Sequence, residues 1–346
     1  MSANQPQVCN YKTRNRHDRR RWSWPLRGLL LLLLLLGALG HAPAEAQALA
    51  YVPTHKSNSV SVVNTATNAV VAIVPVGIQP LAVAITPDGA FAYVTNSGWI
   101  FGSNSVSVID THTNAVTATI AVGNFPIGVA FAPNGAFAYV VNDGANSVSV
   151  IDTATKTVVS TINVGASPWG VAFTPNGAFA YVTNQASNTV SVINTANRTV
   201  VATVPVGSNP VGLAITPDGA FAYVANYLSR SVSVINTATN TVVNTVTVGN
   251  NPIAVAITPN GTSAYVPNDG DNNVSLISTV SNTVAVTIAV ETNPRGVAIT
   301  ADGAFAYVSN RISNTVSVIN TATNSVVRTV MGVAVFPEAV AITPAR

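Results

Sequence analysis

The chain has 346 residues, of which only 8% are charged, and its formal net charge is +3 at pH 7. Val, Ala, Thr, Asn and Ser dominate, whereas helix formers such as Glu, Lys and Gln are scarce, so the composition predicts an all-β protein. Residues 47–346 carry eight basic and ten acidic residues, a net charge of −2. A mildly acidic body lacks the basic surface that duplex nucleic acid requires, so this class of partner is excluded.

The first 46 residues have the order of a secretory signal peptide. A basic stretch, Arg14–Arg27, precedes eight leucines, Leu29–Leu36, and small residues follow. We expect cleavage after Ala44, Ala46 or Ala48. An uncleaved anchor is the alternative, but the apolar run of about 12 residues is shorter than the roughly 20 that span a bilayer. The sequence therefore predicts export to the periplasm, cell surface or medium, with no membrane span after cleavage.

Residues 47–346 consist of seven copies of a repeat of about 42 residues. A Tyr-Val pair marks each copy, at Tyr51, Tyr93, Tyr139, Tyr181, Tyr223, Tyr265 and Tyr307. In one copy we predict strand A at 211–216, strand B at 220–225, strand C at 231–236 and strand D at 241–248. Short turns separate these strands, so each copy predicts an antiparallel four-stranded meander.

Such a sheet has two apolar faces, and stacking around an axis buries both. The sequence therefore predicts a seven-bladed β-propeller of four-stranded antiparallel blades; a linear β-solenoid is disfavoured because its coils are usually shorter. The repeats begin at strand B, near Leu49, and end with a lone strand A at 337–343. We expect this C-terminal strand A to pair with the N-terminal B, C and D strands and close the ring. Small residues at 82, 128, 170, 212, 254, 296 and 339 fit crowding near the axis.

The repeated Tyr-Val-x-Asn, in step with a Thr-Pro-Asp/Asn-Gly turn, resembles the YVTN β-propeller family. The motif is literally Tyr-Val-Thr-Asn at 93–96 and 181–184. Departures are Pro53-Thr54, Pro267 and Ser263. The resemblance spans residues 49–344 and implies a propeller of the surface-layer or cell-surface type. It implies export and interaction, and it carries no catalytic residues.

The D–A and B–C loops vary between copies, whereas the other two turns are nearly constant. In a meander these variable loops lie on one face, which is the candidate binding face because binding residues concentrate on loops of rigid scaffolds. The residue after each loop proline is apolar except for Arg295 and Glu338, and Trp169 also stands out. Arg295 and Glu338 form either a surface ion pair or a polar patch at the channel mouth.

Aromatic loop residues complete the candidate ligand-binding set: Phe125, Phe336, and Trp99 and Phe101 in a four-residue insertion. The insertion is either a contact loop or packing over the channel. Other B–C loop residues, Lys56, Tyr227, Arg230 and Arg311, are predicted to be solvated. The asparagines at 96, 142, 184, 226, 268 and 310 are predicted to cap turns.

Motifs for catalysis and cofactors are sparse. His55 and His112 are isolated, the single cysteine, Cys9, lies before the leucine run, and no haem-attachment or phosphate-binding motif occurs. We therefore predict no catalytic residues, no cofactor and no metal site, except a weak calcium candidate at Asp269 and Asp271.

Two main functions remain. The first is a monomeric, exported, non-enzymatic protein that binds a protein, glycan or cell-envelope component through the D–A and B–C loop face. The alternative is a quinoprotein- or lactonase-like enzyme or cofactor binder that uses the channel mouth. A weaker third hypothesis, single-stranded nucleic-acid binding by loop aromatics, is opposed by the acidic body.

Overall fold

The computed structural model describes residues 48–98 and 103–345. The predicted signal peptide, residues 1–46, lies outside the described residues, and so do Trp99 and Phe101. Residues 46–346 form one compact unit. Among the described residues, no helix has the length and apolar character needed to cross a membrane.

The described residues form seven antiparallel sheets of four strands each, which confirms the predicted fold. Blade 1 contains β1 (Leu49–Thr54), β2 (Ser59–Asn64), β3 (Ala69–Pro75) and β28 (Ala341–Ile342). Blade 2 contains β4 (Pro80–Ile85), β5 (Phe91–Asn96), β6 (Ser105–Asp110) and β7 (Ala115–Ala121). Blade 3 contains β8 (Pro126–Phe131), β9 (Phe137–Asn142), β10 (Ser147–Asp152) and β11 (Thr157–Asn163).

The remaining blades follow in chain order. Blade 4 contains β12 (Pro168–Phe173), β13 (Phe179–Asn184), β14 (Thr189–Asn194) and β15 (Thr199–Pro205). Blade 5 contains β16 (Pro210–Ile215), β17 (Phe221–Asn226), β18 (Ser231–Asn236) and β19 (Thr241–Thr247). Blade 6 contains β20 (Ala256–Ile257), β21 (Ser263–Asn268), β22 (Asn273–Ser278) and β23 (Thr283–Ala289). Blade 7 contains β24 (Pro294–Ile299), β25 (Phe305–Asn310), β26 (Thr315–Asn320) and β27 (Ser325–Val330). Two single-turn 3-10 helices, His55–Ser57 and Asp143–Ala145, lie in B–C loops.

Burial between blades explains why the sheets stack. One apolar cluster joins Tyr223, Val232 and Val234 of blade 5 to Ala264 and Val266 of blade 6, all of them buried. Equivalent clusters recur between the other blades. Each sheet therefore buries both faces against its neighbours, and the hydrophobic effect drives closure of the ring.

The two ends of the chain meet in blade 1 as predicted. β28 pairs with β1 through Ala50 opposite Ile342 and Tyr51 opposite Ala341. The backbone N–H of Thr343 donates to the carbonyl of Leu49 at 2.9 Å, and that of Glu338 donates to Pro53 at 2.9 Å. The closing strand therefore lies along the whole length of β1.

The tyrosine of each repeat also joins neighbouring blades. Tyr223 donates its hydroxyl to Asn282 Oδ1 in the C–D turn of blade 6, at 2.6 Å. The same bond recurs in four other tyrosines, which are Tyr51, Tyr181, Tyr265 and Tyr307. Burial raises the pKa of Tyr223 to about 12, so this hydroxyl keeps its proton and donates at every physiological pH.

Blades 3 and 4 lack the acceptor because the turn residue is Lys156 or Arg198 instead of asparagine. Lys156 lies over the ring of Phe91 and Arg198 over the ring of Phe137. A cavity of about 420 Å³ lined by Tyr93 opens between blades 2 and 3, and one of about 430 Å³ lined by Tyr139 opens between blades 3 and 4. These two interfaces are therefore less closely packed at this end.

The asparagine that ends strand B in blades 2 to 7 has a different role from the predicted turn cap. Asn226 is fully buried, and its Nδ2 donates to Ser231 Oγ at 3.1 Å and Ser233 Oγ at 2.9 Å. A Cβ on Gly207 would lie 2.6 Å from Asn226 Cγ. The asparagine therefore ties strand B to strand C inside the sheet, beside a position that admits only glycine.

We predict that deleting residues 336–346 lowers the free energy of unfolding by about 3 to 5 kcal/mol, because the closing hydrogen bonds and buried Val340 are lost. Removing only residues 345–346 is the control and should change nothing. An unchanged melting temperature in the longer truncation would show that blade 1 does not hold the ring closed.

We predict that Tyr223→Phe destabilises the protein by about 1 kcal/mol, because Asn282 loses its donor. Tyr93→Phe removes a hydroxyl that has no asparagine opposite it and should cost less. Chemical denaturation of both variants makes the comparison; equal losses would contradict a specific role for the tyrosine–asparagine bond.

Candidate functional site

One backbone hydrogen bond fixes the same loop position in all seven blades. The residue four after each repeat tyrosine donates its N–H to the residue before the loop proline, at 2.8 to 3.1 Å. This loop ring consists of His55, Ser97, Asp143, Gln185, Tyr227, Asp269 and Arg311. The bond joins each B–C loop to a D–A loop, so both loops share one face, as predicted. Constant backbone geometry thus carries six different side-chain types in seven blades, since only aspartate occurs twice.

A second ring of variable side chains surrounds the axis at the same face. These rim positions follow each loop proline and are Leu81, Ile127, Trp169, Val211, Ile253, Arg295 and Glu338. Neighbouring strands A approach so closely here that a Cβ on Gly296 would lie 2.6 Å from the Cα of Ala339. The small residues predicted from the sequence therefore bring the rim side chains together.

Glu338 is the centre of a charged arc that spans blades 5, 6, 7 and 1. Its Oε1 accepts from Arg311 Nε at 2.7 Å, and Arg295 Nε lies 3.8 Å from its Oε2. The Glu338 side chain is only 11% exposed. The charged arc comprises His55, Tyr227, Asp269, Arg295, Arg311 and Glu338. Arg295 and Glu338 are thus within ion-pair distance, and both line the cavity at the channel mouth; their role in ligand binding stays a prediction.

Burial raises the pKa of Glu338 above its ordinary value, and the positive charges of Arg295 and Arg311 oppose part of that rise. Ser309 Oγ donates to the carbonyl of Glu338, and the Glu338 N–H donates to Pro53. Backbone bonds on both sides therefore fix the position of this carboxylate.

His55 lies beside both arginines. Burial lowers its pKa below 6.5, and the charges of Arg311 and Arg295 lower it further. The imidazole is therefore neutral at pH 7. Its Nδ1 is buried without a hydrogen-bond partner among the described residues, which leaves Nε2 as the nitrogen that can meet a water or ligand.

Two more buried polar atoms of the charged arc have no hydrogen-bond partner in the described part of the chain: Asp269 Oδ1 and Arg295 Nε. The other Asp269 oxygen accepts from the hydroxyl of Tyr227 at 3.3 Å. Leaving a buried polar atom unpaired costs about 1–3 kcal/mol, so an ordered water or a ligand would stabilise these atoms. The buried Oδ1 atoms of the strand-B asparagines are also unpaired among the described residues, so this feature alone does not mark a binding site.

The calcium candidates do not act together. Asp271 is exposed and accepts from the N–H and side chain of Asn250, whereas Asp269 is buried beside Tyr227. Within residues 48–98 and 103–345, no three His, Cys, Asp or Glu residues are grouped closely enough to hold a metal ion.

The predicted aromatic residues occupy distinct places. Phe336 lies under two cations, with Arg311 at 4.5 Å and Lys56 at 4.4 Å from the ring centroid, so it supports the charged arc. Phe125 has the same left-handed backbone (φ 57°) but packs near Gly144 in blade 3, away from the arc. Trp169 lines the axial channel. Trp99 and Phe101 stay predictions.

The prediction that Arg311 and Tyr227 are solvated is wrong, since Arg311 is paired with Glu338 and Tyr227 with Asp269. Sequence analysis also missed His55 as a site residue. A signal was available: the position four after each tyrosine is polar in every copy, and an asparagine precedes it in six of the seven copies.

Comparison with known proteins gives partial family matches. A model described as "Lactonase, 7-bladed beta-propeller" matches residues 197–344, and one described as "Cytochrome D1 heme domain" matches residues 133–255. Each match covers less than half of the chain. A search of curated protein sequences returns no match.

Solved structures support the fold over most of the chain. A functionally unknown protein from Desulfotomaculum acetoxidans is 21% identical, with a TM-score of 0.76, covering 86% of this chain and 99% of its own. Kuenenia stuttgartiensis hydrazine synthase is 27% identical, with a TM-score of 0.71, covering 79% and 92%. A Bacteroides fragilis protein provisionally named a 6-phosphogluconolactonase is 17% identical, with a TM-score of 0.75, covering 87% and 99%.

The lactonase match overturns the main functional expectation. The hypothesis of a non-enzymatic surface binding protein is wrong, because the family model that matches residues 197–344 is that of a lactonase, which favours the enzyme alternative. A haem does not fit this mouth: the cavity measures about 210 Å³, below the 300–1,000 Å³ of pockets that enclose larger ligands.

We predict that His55 titrates below pH 6.5 and that Arg311→Gln raises its pKa, because a neighbouring positive charge is removed. Since the folded state binds fewer protons than the unfolded state in that window, stability should fall as the pH drops below about 6.5. Proton NMR measures the titration, with His55→Asn to assign the signal. A midpoint at or above 6.5 would contradict the arrangement.

Proposed function

We propose that the protein is a lactonase-like hydrolase whose active site is the charged arc at the channel mouth. The observation that carries the proposal is the charged pair of Arg295 and Glu338 at the mouth of the channel. His55 lies close enough for the charge of Arg295 to lower its pKa. The partial lactonase match, which includes Tyr227, Asp269, Arg295, Arg311 and Glu338, supports the same reaction class.

Each proposed role follows from the charge and protonation of the side chain. Neutral His55 accepts a proton from a water molecule as the water oxygen attacks the lactone carbonyl carbon. The carbonyl oxygen becomes negative and is stabilised by the guanidinium of Arg295. The ring C–O bond then breaks, and the leaving oxygen takes the proton from the His55 imidazolium. One water is consumed and a hydroxy acid is formed.

Glu338 acts as a positioning residue. Its carboxylate holds Arg311 at 2.7 Å and lies beside Arg295, and its own backbone is fixed by Ser309 and Pro53. Two cations against this one carboxylate leave positive charge for the developing oxyanion. They also favour binding of the carboxylate product.

Membership of the YVTN family is a further proposal, supported by the Tyr-Val-x-Asn repeat. Export of a mature chain of residues 47–346, the monomeric state, and any protein, glycan or envelope partner stay predictions from the sequence.

We predict that the purified protein hydrolyses δ-lactones, measured as proton release at constant pH. His55→Asn should reduce kcat/KM by about 10²-fold or more, and Arg295→Met by about 10²- to 10³-fold. Melting temperatures of both variants establish that the fold persists.

Matched controls come from the same chain. His112 lies in an exposed C–D turn and Arg328 on an exposed strand D, so His112→Asn and Arg328→Met should retain full activity. Absence of lactone hydrolysis by the wild-type protein, or equal losses in control and site variants, would refute the proposed function.

A further inference from the structure

The side chains that line the axial channel beneath the mouth are mostly apolar. Its cavity of about 210 Å³ is lined by the rim residues other than Val211 and by residues that follow them on the strands A. Representative walls are Leu81, Val129, Trp169, Leu213 and Val255. Apart from Arg295 and Glu338, every side chain that lines this cavity is apolar.

The polar and apolar walls face each other. Arg295 belongs to blade 7 and Glu338 to blade 1, so the point midway between them lies opposite blade 4 in a ring of seven. Trp169 is the rim residue of blade 4. A molecule in the mouth therefore meets two charges on one side and an indole ring on the other.

We propose that the substrate is an amphiphilic lactone, whose alkyl tail enters the channel while its ester group meets the charged arc. This inference rests on the proposed hydrolase function and names its substrate class. A sugar lactone would place several hydroxyl groups against side chains that are mostly apolar, and burial of hydroxyl groups without hydrogen-bond partners is costly. An alkyl tail gains from the same walls, because it removes apolar surface from water.

The channel volume limits the tail. A dry cavity of about 150 Å³ accommodates benzene, which has six carbons, so the channel has room for a tail of about six to eight carbons. Neighbouring strands A touch backbone to backbone at Gly128, Gly170 and Gly212, so the walls have little freedom to move apart. The favourable effect of a longer tail on kcat/KM should therefore stop once the tail fills the channel.

The test is a series of δ-lactones with lengthening alkyl tails: δ-valerolactone, δ-octalactone, δ-decalactone and δ-dodecalactone, with glucono-δ-lactone as the polar comparison. We expect kcat/KM to rise about threefold to fourfold per methylene until the channel is full. Ala82→Leu puts bulk into the channel and should flatten this dependence. Ala115→Leu makes the same exchange on exposed strand D of the same blade and should leave it unchanged.

The wild-type series alone decides the outcome if Ala82→Leu fails to fold. Hydrolysis without dependence on tail length, or with a preference for glucono-δ-lactone, would overturn the amphiphilic substrate and leave the hydrolase intact. Hydrolysis of none of these lactones would refute the hydrolase, and this inference with it.

Discussion

Close approach of the seven strands A at the axis is the constraint on which the channel and its mouth depend. At Gly212 an added Cβ would lie 2.6 Å from the Cα of Ala254, and at Gly128 it would lie 2.5 Å from the carbonyl oxygen of Trp169. Since a Cβ has no room at these positions, neighbouring strands A pack backbone against backbone, and their spacing admits little variation. The channel is narrow for this reason, and the rim side chains, although far apart in sequence, line one cavity.

The repeat separates stability from chemistry. Tyrosine hydroxyls, buried asparagines and the apolar strands B and C perform the same structural work in nearly every blade, so they tell nothing about function. The loop ring is equally constant in its backbone bond, but its side chain changes from blade to blade, with only aspartate used twice. The side chain at a loop-ring position can therefore change without a loss of stability in the blade that carries it. The charged arc uses this freedom in four consecutive blades.

The fold could be predicted from the sequence because the repeat is visible in the order of the residues, without any knowledge of their contacts in space. The number of repeat tyrosines gives the number of blades. The repeats begin with strand B, near Leu49, and end with a lone strand A, at 337–343, so the closure of the ring could also be predicted. Arg295 and Glu338 could be found because they interrupt an apolar series. It could not be predicted that Arg311 reaches Glu338 or that His55 lies beside both arginines, since those distances depend on how blades 7 and 1 are rotated about the axis. Burial of Glu338, and therefore the direction of its pKa, also requires the assembled ring.

Blade 1 both closes the ring and carries two residues of the charged arc. The N–H of His55 donates to the carbonyl of Phe336, and the N–H of Glu338 donates to the carbonyl of Pro53, so the bonds that close the ring also place two residues of the charged arc. Arg311, which pairs with Glu338, comes from the last complete blade, whereas His55 comes from the first. Opening of β28 would therefore separate Glu338 from His55 and leave Arg311 unpaired, although six blades stayed folded. The charged arc forms because the C-terminal strand pairs with β1 in the first blade. Local opening of blade 1 would therefore disrupt the charged arc, just as global unfolding would.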